Sequence, residues 1–102
     1  MEKQMKSKKQ TAVMVTTSHR GVFFGYAAPG TDFAADKIRL SDSRMCVFWS
    51  TDCKGVLGLA ATGPTASCKI GPKVPAITLR DVTSVTEVSD SAVEAWETAP
   101  WR

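Results

Sequence analysis

The stretch Met45–Pro64, MCVFWSTDCKGVLGLAATGP, decides how the chain is read. Its first arm alternates, with Met45, Val47, Trp49 and Thr51 on one side and Cys46, Phe48 and Ser50 on the other, the period of a strand. Asp52-Cys53-Lys54-Gly55 carries Asp at the first turn position and Gly at the fourth, the preference of a type I turn with a glycine bulge. The expectation is therefore a β-hairpin whose second arm, rich in Gly58, Ala60 and Ala61, lets another backbone or a large ring approach closely. Cys46 and the rings of Phe48 and Trp49 read as core.

Outward from the hairpin the same period recurs. Thr11–Ser18 alternates as a first strand and Gly21–Ala27 as a second. Thr31–Lys37 reads as a polar loop or one helical turn, Lys37–Leu40 as a short strand, and Ser41-Asp42-Ser43 as turn material. Ser67–Ile70 suits a brief edge strand, since Gly71-Pro72 and Pro75 interrupt it. Ile77–Leu79 and Val82–Val88 are Thr- and Val-rich final strands. The period then changes at Ser91. Ser91 and Glu94 stand at capping-box spacing, Ala92, Val93, Trp96 and Ala99 make an apolar stripe, and Pro100 stops the helix. The fold class expected is mainly β, a small curved antiparallel sheet or barrel with one C-terminal helix. Residues 1–10 read as a flexible basic arm and residues 11–102 as a single β-rich domain.

Charge is unevenly spread in a chain of 102 residues with formal net charge +3. The first ten residues carry +3, the next seventy +4 and the remainder −4. A basic body with interleaved aromatics points to phosphate or acidic-partner recognition. The residues expected to bind are His19, Arg20, Tyr26, Arg44, Lys54, Lys69 and Trp101. Tyr26 and Trp101 are the rings expected outside the core.

Catalytic motifs are missing from the sequence. His19 is the only histidine, and the three cysteines Cys46, Cys53 and Cys68 lack the close pairing of zinc motifs. Gly55, Gly58 and Gly63 do not form a phosphate-cradling loop. The expectation is a protein that is not an enzyme, holds no cofactor or metal and forms no disulfide. An odd cysteine count without a signal-like apolar core suits reduced thiols, and no apolar run is long enough for a membrane helix.

The residues His19-Arg20-Gly21-Val22-Phe23, Trp49, Gly58-Leu59-Ala60-Ala61-Thr62-Gly63-Pro64, Val82-Thr83-Ser84-Val85 and the helix holding Trp96 together resemble a family of small phage and prophage proteins described as a domain of unknown function. The resemblance spans about Thr16 to Trp101. It implies viral origin, residence in the cytoplasm of a bacterial host and a small β-rich fold, and it brings no catalytic residues. The expected function is that of a non-enzymatic phage accessory protein that binds a host or viral partner. The leading form is an antagonist of bacterial defence, blocking a host defence protein or sequestering a nucleotide signal. One alternative is a nucleic-acid-binding accessory protein. Another is a minor virion or assembly component, a homo-oligomer built through strand edges and Trp101.

Overall fold

The computed structural model describes residues 10–18, 21–49 and 55–100. The order is β1 (Thr11–Thr17), β2 (Val22–Ala27), β3 (Ile38–Phe48), α1 (Gly55–Ala61), β4 (Lys69–Ile70), β5 (Val74–Leu79), β6 (Val82–Glu87) and α2 (Asp90–Thr98). One six-stranded antiparallel sheet runs β4-β3-β2-β1-β6, with β5 also on β3. The long β3 serves two partners on one edge. Ile38–Ser43 pairs with β5, Cys46 and Phe48 pair with β4, and Gly71 N–H donates to the Met45 carbonyl between them.

The mainly β architecture with a C-terminal helix is as the alternation predicts. The sheet curls but does not close. β5 and β6 are joined only by Arg80-Asp81, yet they lie at opposite ends of the strand order. The curl must bring the two ends together at that link. Hydrogen bonds from Ser18 N–H to the Asp81 carbonyl and from Val82 N–H to the Asp36 carbonyl fasten it. Among the described residues no ladder joins β5 to β6, and Pro75, which has no N–H to offer, sits in β5 at an edge.

Each face of the sheet carries its own core. On one face Val13, Val15, Ala27, Ile38, Leu40 and Leu79 fill the hollow of the curl, joined by Phe23, Ile77, Val82 and Val85. On the other, Met14, Val22, Phe24, Cys46 and Ile70 are covered by Leu59 and Ala60 of α1 and Ala92 and Trp96 of α2. Trp96 is the hub. It is 0% exposed. Its ring stacks on Phe24 with centroids 5.2 Å apart and planes 9° apart. Its indole N–H donates to the Leu59 carbonyl at 3.0 Å, tying one helix to the other.

Four sequence expectations are corrected. The second hairpin arm is a helix, α1, not a strand. Val56, Leu59 and Ala60 fall at i, i+3 and i+4, one helical face; Leu59 and Ala60 are in the core and Val56 packs against it. Only small residues let this helix lie against α2. A Cβ on Gly63, just past its end, would stand 2.5 Å from Ala95 Cβ, and φ there is +88°. Gly63 N–H caps the Gly58 carbonyl at 3.1 Å.

Ser41-Asp42-Ser43 is not a turn, because β3 runs straight through it as a bulge. Phe24 faces Arg44 and Tyr26 faces Ser41, so two residues of β3 oppose Gly25 alone, and Asp42 takes φ 48°. The helix N-cap is Ser89 rather than Ser91, its hydroxyl accepting from Ala92 N–H at 3.2 Å and donating to the Ala61 carbonyl at 2.7 Å. Phe48, expected in the core, is 50% exposed because it stands past the end of β2, where β3 pairs only with the two-residue β4. The turn residues Asp52, Cys53 and Lys54 lie outside the described residues.

Candidate binding surfaces

The bulge at Asp42 sets the chemistry of the helix-covered face. By adding a residue to β3 it places Arg44 in the row Met14–Phe24–Arg44, under the C-terminal end of α2. Arg44 is only 5% exposed. Its Nε donates to the Gly71 carbonyl at 2.8 Å, and one Nη donates to the carbonyls of Trp96 at 2.9 Å and Ala99 at 2.6 Å. A cation on the last carbonyls of a helix satisfies orphan acceptors and opposes the negative end of the dipole. This expected binding residue is thus committed to holding α2 and the β4–β5 corner on the sheet.

Tyr26 lies on the same face, one pair of rows along. Its ring meets Phe24 edge-on at 5.4 Å, and its hydroxyl donates to Glu97 Oε2 of α2. Glu97 Oε1 accepts from Lys73 Nζ at 2.6 Å. Burial raises the Tyr26 phenol well above its ordinary value, reinforced by the hydrogen bond to Glu97 and the charges of Glu97 and Asp42. Burial works to raise Glu97 too, but the hydrogen bonds from Lys73 and Tyr26 and the charges of Lys73 and Arg44 outweigh it and hold the carboxyl below its ordinary value. Gln10 donates to Ser41 Oγ at 3.4 Å and closes the rim. The result is two adjoining pockets that share Gln10 and Tyr26. One, of about 220 Å³, is lined also by Asp42 and Glu97. The other, of about 460 Å³, is lined by Thr11, Ala12, Glu87, Val88, Asp90 and Val93.

The opposite face carries a different surface. Past the bulge, β3 turns Met45 and Val47 outward at 40% and 61% exposure. With Phe23, Pro72, Val74 and Ile77 they line a groove of about 260 Å³ whose other walls are Ser43 and Gly71. No described charged residue lines it. The Ser43 hydroxyl is turned away to the Phe24 carbonyl at 2.9 Å. The groove is an apolar depression at the corner where β4 gives way to β5.

Of the seven binding residues expected from the sequence, His19, Arg20, Lys54 and Trp101 lie outside the described residues. Lys69 is exposed on β4, opposite Phe48. Tyr26 and Arg44 share a face, but Arg44 is buried against carbonyls while Tyr26 borders solvent-filled pockets. Sequence reasoning missed Glu97, Lys73 and Asp42 around Tyr26 because their meeting depends on α2 crossing the sheet. It missed the outward Met45 and Val47 because a strand with apolar residues on both sides reads as buried. Among the described residues no three of His, Cys, Asp and Glu group to hold a metal ion. Cys46 and Cys68 are buried thiols. No described helix is long and apolar enough to cross a membrane.

No curated protein and no solved structure matches the chain. A family model does, over residues 10–96, which takes in every strand and nearly all of α2. The chain belongs to the DUF6948 family, a domain of unknown function.

Proposed function

We propose that the protein is a non-catalytic binding module that captures a partner protein in the apolar groove over β3, β4 and β5. The observation that carries this reading is the outward display of Met45 and Val47 in a concave, apolar depression with Phe23, Pro72, Val74 and Ile77. A contiguous apolar hollow with a polar surround is the form of a protein-binding hot spot, and it suits an aromatic or aliphatic anchor from the partner. The resemblance to small phage proteins supports one kind of partner, a component of bacterial defence that is blocked by occupation.

Nucleic acid is the weaker reading. Of the described cations, Arg44 is buried against carbonyls and Lys73 is bound to Glu97; Lys37, Arg39, Lys69 and Arg80 are exposed, but the strand register sets just one of them, Lys69, opposite an exposed ring, Phe48. A phosphate-tracking surface needs free cations beside exposed rings.

Comparative affinity capture from bacterial cells tests the proposal. The wild-type chain, Val47→Asp and Lys69→Glu serve as baits, with and without nuclease. A discrete protein retained by wild type and Lys69→Glu, lost on Val47→Asp and indifferent to nuclease is the expected result. Retention by Val47→Asp, or loss on nuclease treatment, contradicts it.

A further inference from the structure

β6 ends the strand order, and among the described residues its outer edge meets no strand. The hydrogen bond from Val88 N–H to the Ala12 carbonyl fixes which groups face outward. An antiparallel ladder alternates, so Ser84, Thr86 and Val88 bond to β1, while Val85 and Glu87 turn their N–H and C=O groups away from it. The two ends of this edge are already taken. Val82 N–H donates to the Asp36 carbonyl, and Ser89 N–H to the Ala60 carbonyl of α1. Between them the run Thr83–Glu87 carries neither Lys nor Pro, common guards of an open edge. α1 lies alongside and turns the edge into one wall of a trough. A cavity of about 530 Å³ at one end is lined in part by Val22, Trp49, Val56 and Ser84. One of about 360 Å³ at the other is lined in part by Leu57, Ala60, Thr86 and Glu87. Leu57 is 71% exposed.

We propose that this trough receives an extended segment of a partner protein, added antiparallel to β6 as a further strand. Main-chain bonds to Val85 and Glu87 hold the segment, and its alternate side chains fill the two cavities, as in other strand-addition complexes. Segment residues opposite Ser84 and Thr86 stand two apart, about 7 Å, on the helix-covered face, so each reaches one cavity. Trp49 and Val56 wall the first and Leu57 and Ala60 the second, so the segment is apolar at i and i+2. Its N-terminal flank is basic. That flank meets Glu87 and Asp90, which among the described residues are in no ion pair. A second copy of the chain does not fit. Pairing β6 with β6 about Val85 sets the Asp36 backbone on Val82 of each copy against α1 at Ser89 of the other. The site lies at the other end of the strand order from β4, so it stands or falls separately from the proposed function.

Selection from a ribosome-displayed library of random short peptides, with the full chain immobilised, tests this. Enrichment of peptides with apolar residues two apart and a Lys or Arg on their N-terminal side is expected. Affinity for an enriched peptide should fall about tenfold in Leu57→Asp, and about as much in Val85→Pro, which removes one main-chain donor that β1 does not use. Val47→Asp, in the other groove, should leave it unchanged. Val85 also packs on the core, so N-methylation of the peptide supplies a test that needs no variant. A methyl on the amide between the two apolar residues, which bonds to the Val85 carbonyl, should abolish binding. A methyl on the amide of an apolar residue itself, which faces away from β6, should spare it. No enrichment over the bare support, binding that survives Leu57→Asp, loss in Val47→Asp, or equal effects of the two methylations would overturn the inference.

Discussion

Arg44 shows how far one residue's role depends on its surroundings. In the sequence it is one cation of a basic body. In the fold it supplies the donors for three backbone carbonyls from two elements, Gly71, Trp96 and Ala99. Removing it strands buried acceptors, each costing about 1–3 kcal/mol. Arg44→Met, which keeps the volume, should therefore lower unfolding stability in urea by about 3 kcal/mol in total, while Lys69→Glu on exposed β4 should stay within about 0.5 kcal/mol. An unchanged midpoint for Arg44→Met would contradict the clamp.

The Tyr26–Glu97 pair sets the pH range of stability. Glu97 titrates below its ordinary 4.5 in the folded chain, so its contribution is complete above that value and fades as pH falls through the folded pKa. Tyr26 titrates above its ordinary 10.0, so its contribution is complete below that value and fades as pH rises past it. Thermal melts across pH should show both limbs. Glu97→Gln should flatten the acid limb, and Tyr26→Phe the alkaline one. Limbs unaltered by either substitution would show that other groups set them.

At the scale of elements, legibility followed burial pattern. β1 and β2 were legible because residues such as Val13 and Val15 against Met14 alternate between two covered faces. α2 was legible because Ala92 and Trp96 break that period. α1 was not: seven residues of Gly, Ala, Leu and Val have no cap or charge pattern to mark a helix, and only contact with α2 selects it. The bulge was hidden because Ser-Asp-Ser suits a turn equally well, and only pairing on both edges of β3 keeps the strand running. The binding surfaces were the least legible, since Tyr26 alone signals nothing of Glu97, which lies seventy-one positions along the chain.

The close approach of α1 to α2 has a direct test in two glycines. Gly30 and Gly63 both hold a φ near +85°, at +85° and +88°, but a Cβ on Gly30 meets open space while one on Gly63 meets Ala95 at 2.5 Å. Gly30→Ala should cost about 1 kcal/mol, the backbone penalty alone. Gly63→Ala should cost about 1–3 kcal/mol more, because the helices must part. Equal costs by urea titration would mean that the helices are not in van der Waals contact there. Trp96→Ala, which removes the ring from Phe24 and the bond to Leu59, should cost about 3–5 kcal/mol.

Across the whole molecule, the curled sheet separates two surfaces of opposite character. The helix-covered face is stapled by Trp96 and Arg44 and edged with carboxylates. The other face buries its hollow but leaves Met45, Val47 and Val74 outside it at the β4–β5 corner. That division sets the groove of the proposed function on one face and the carboxylate-edged pockets around Tyr26 on the other. Binding at the apolar corner should therefore depend weakly on salt, since no described charged residue lines it. A steep loss of capture between low and physiological ionic strength would count against an apolar anchor.

Site-specific photocrosslinking in bacterial cells tests the central claim most directly. A photoreactive residue replaces Val47 in one chain and exposed Thr98 of α2, on the opposite face, in another. The account predicts a discrete protein adduct from position 47, resistant to nuclease and missing from position 98. No adduct at 47, the same adduct from both positions, or an adduct that nuclease removes would contradict it.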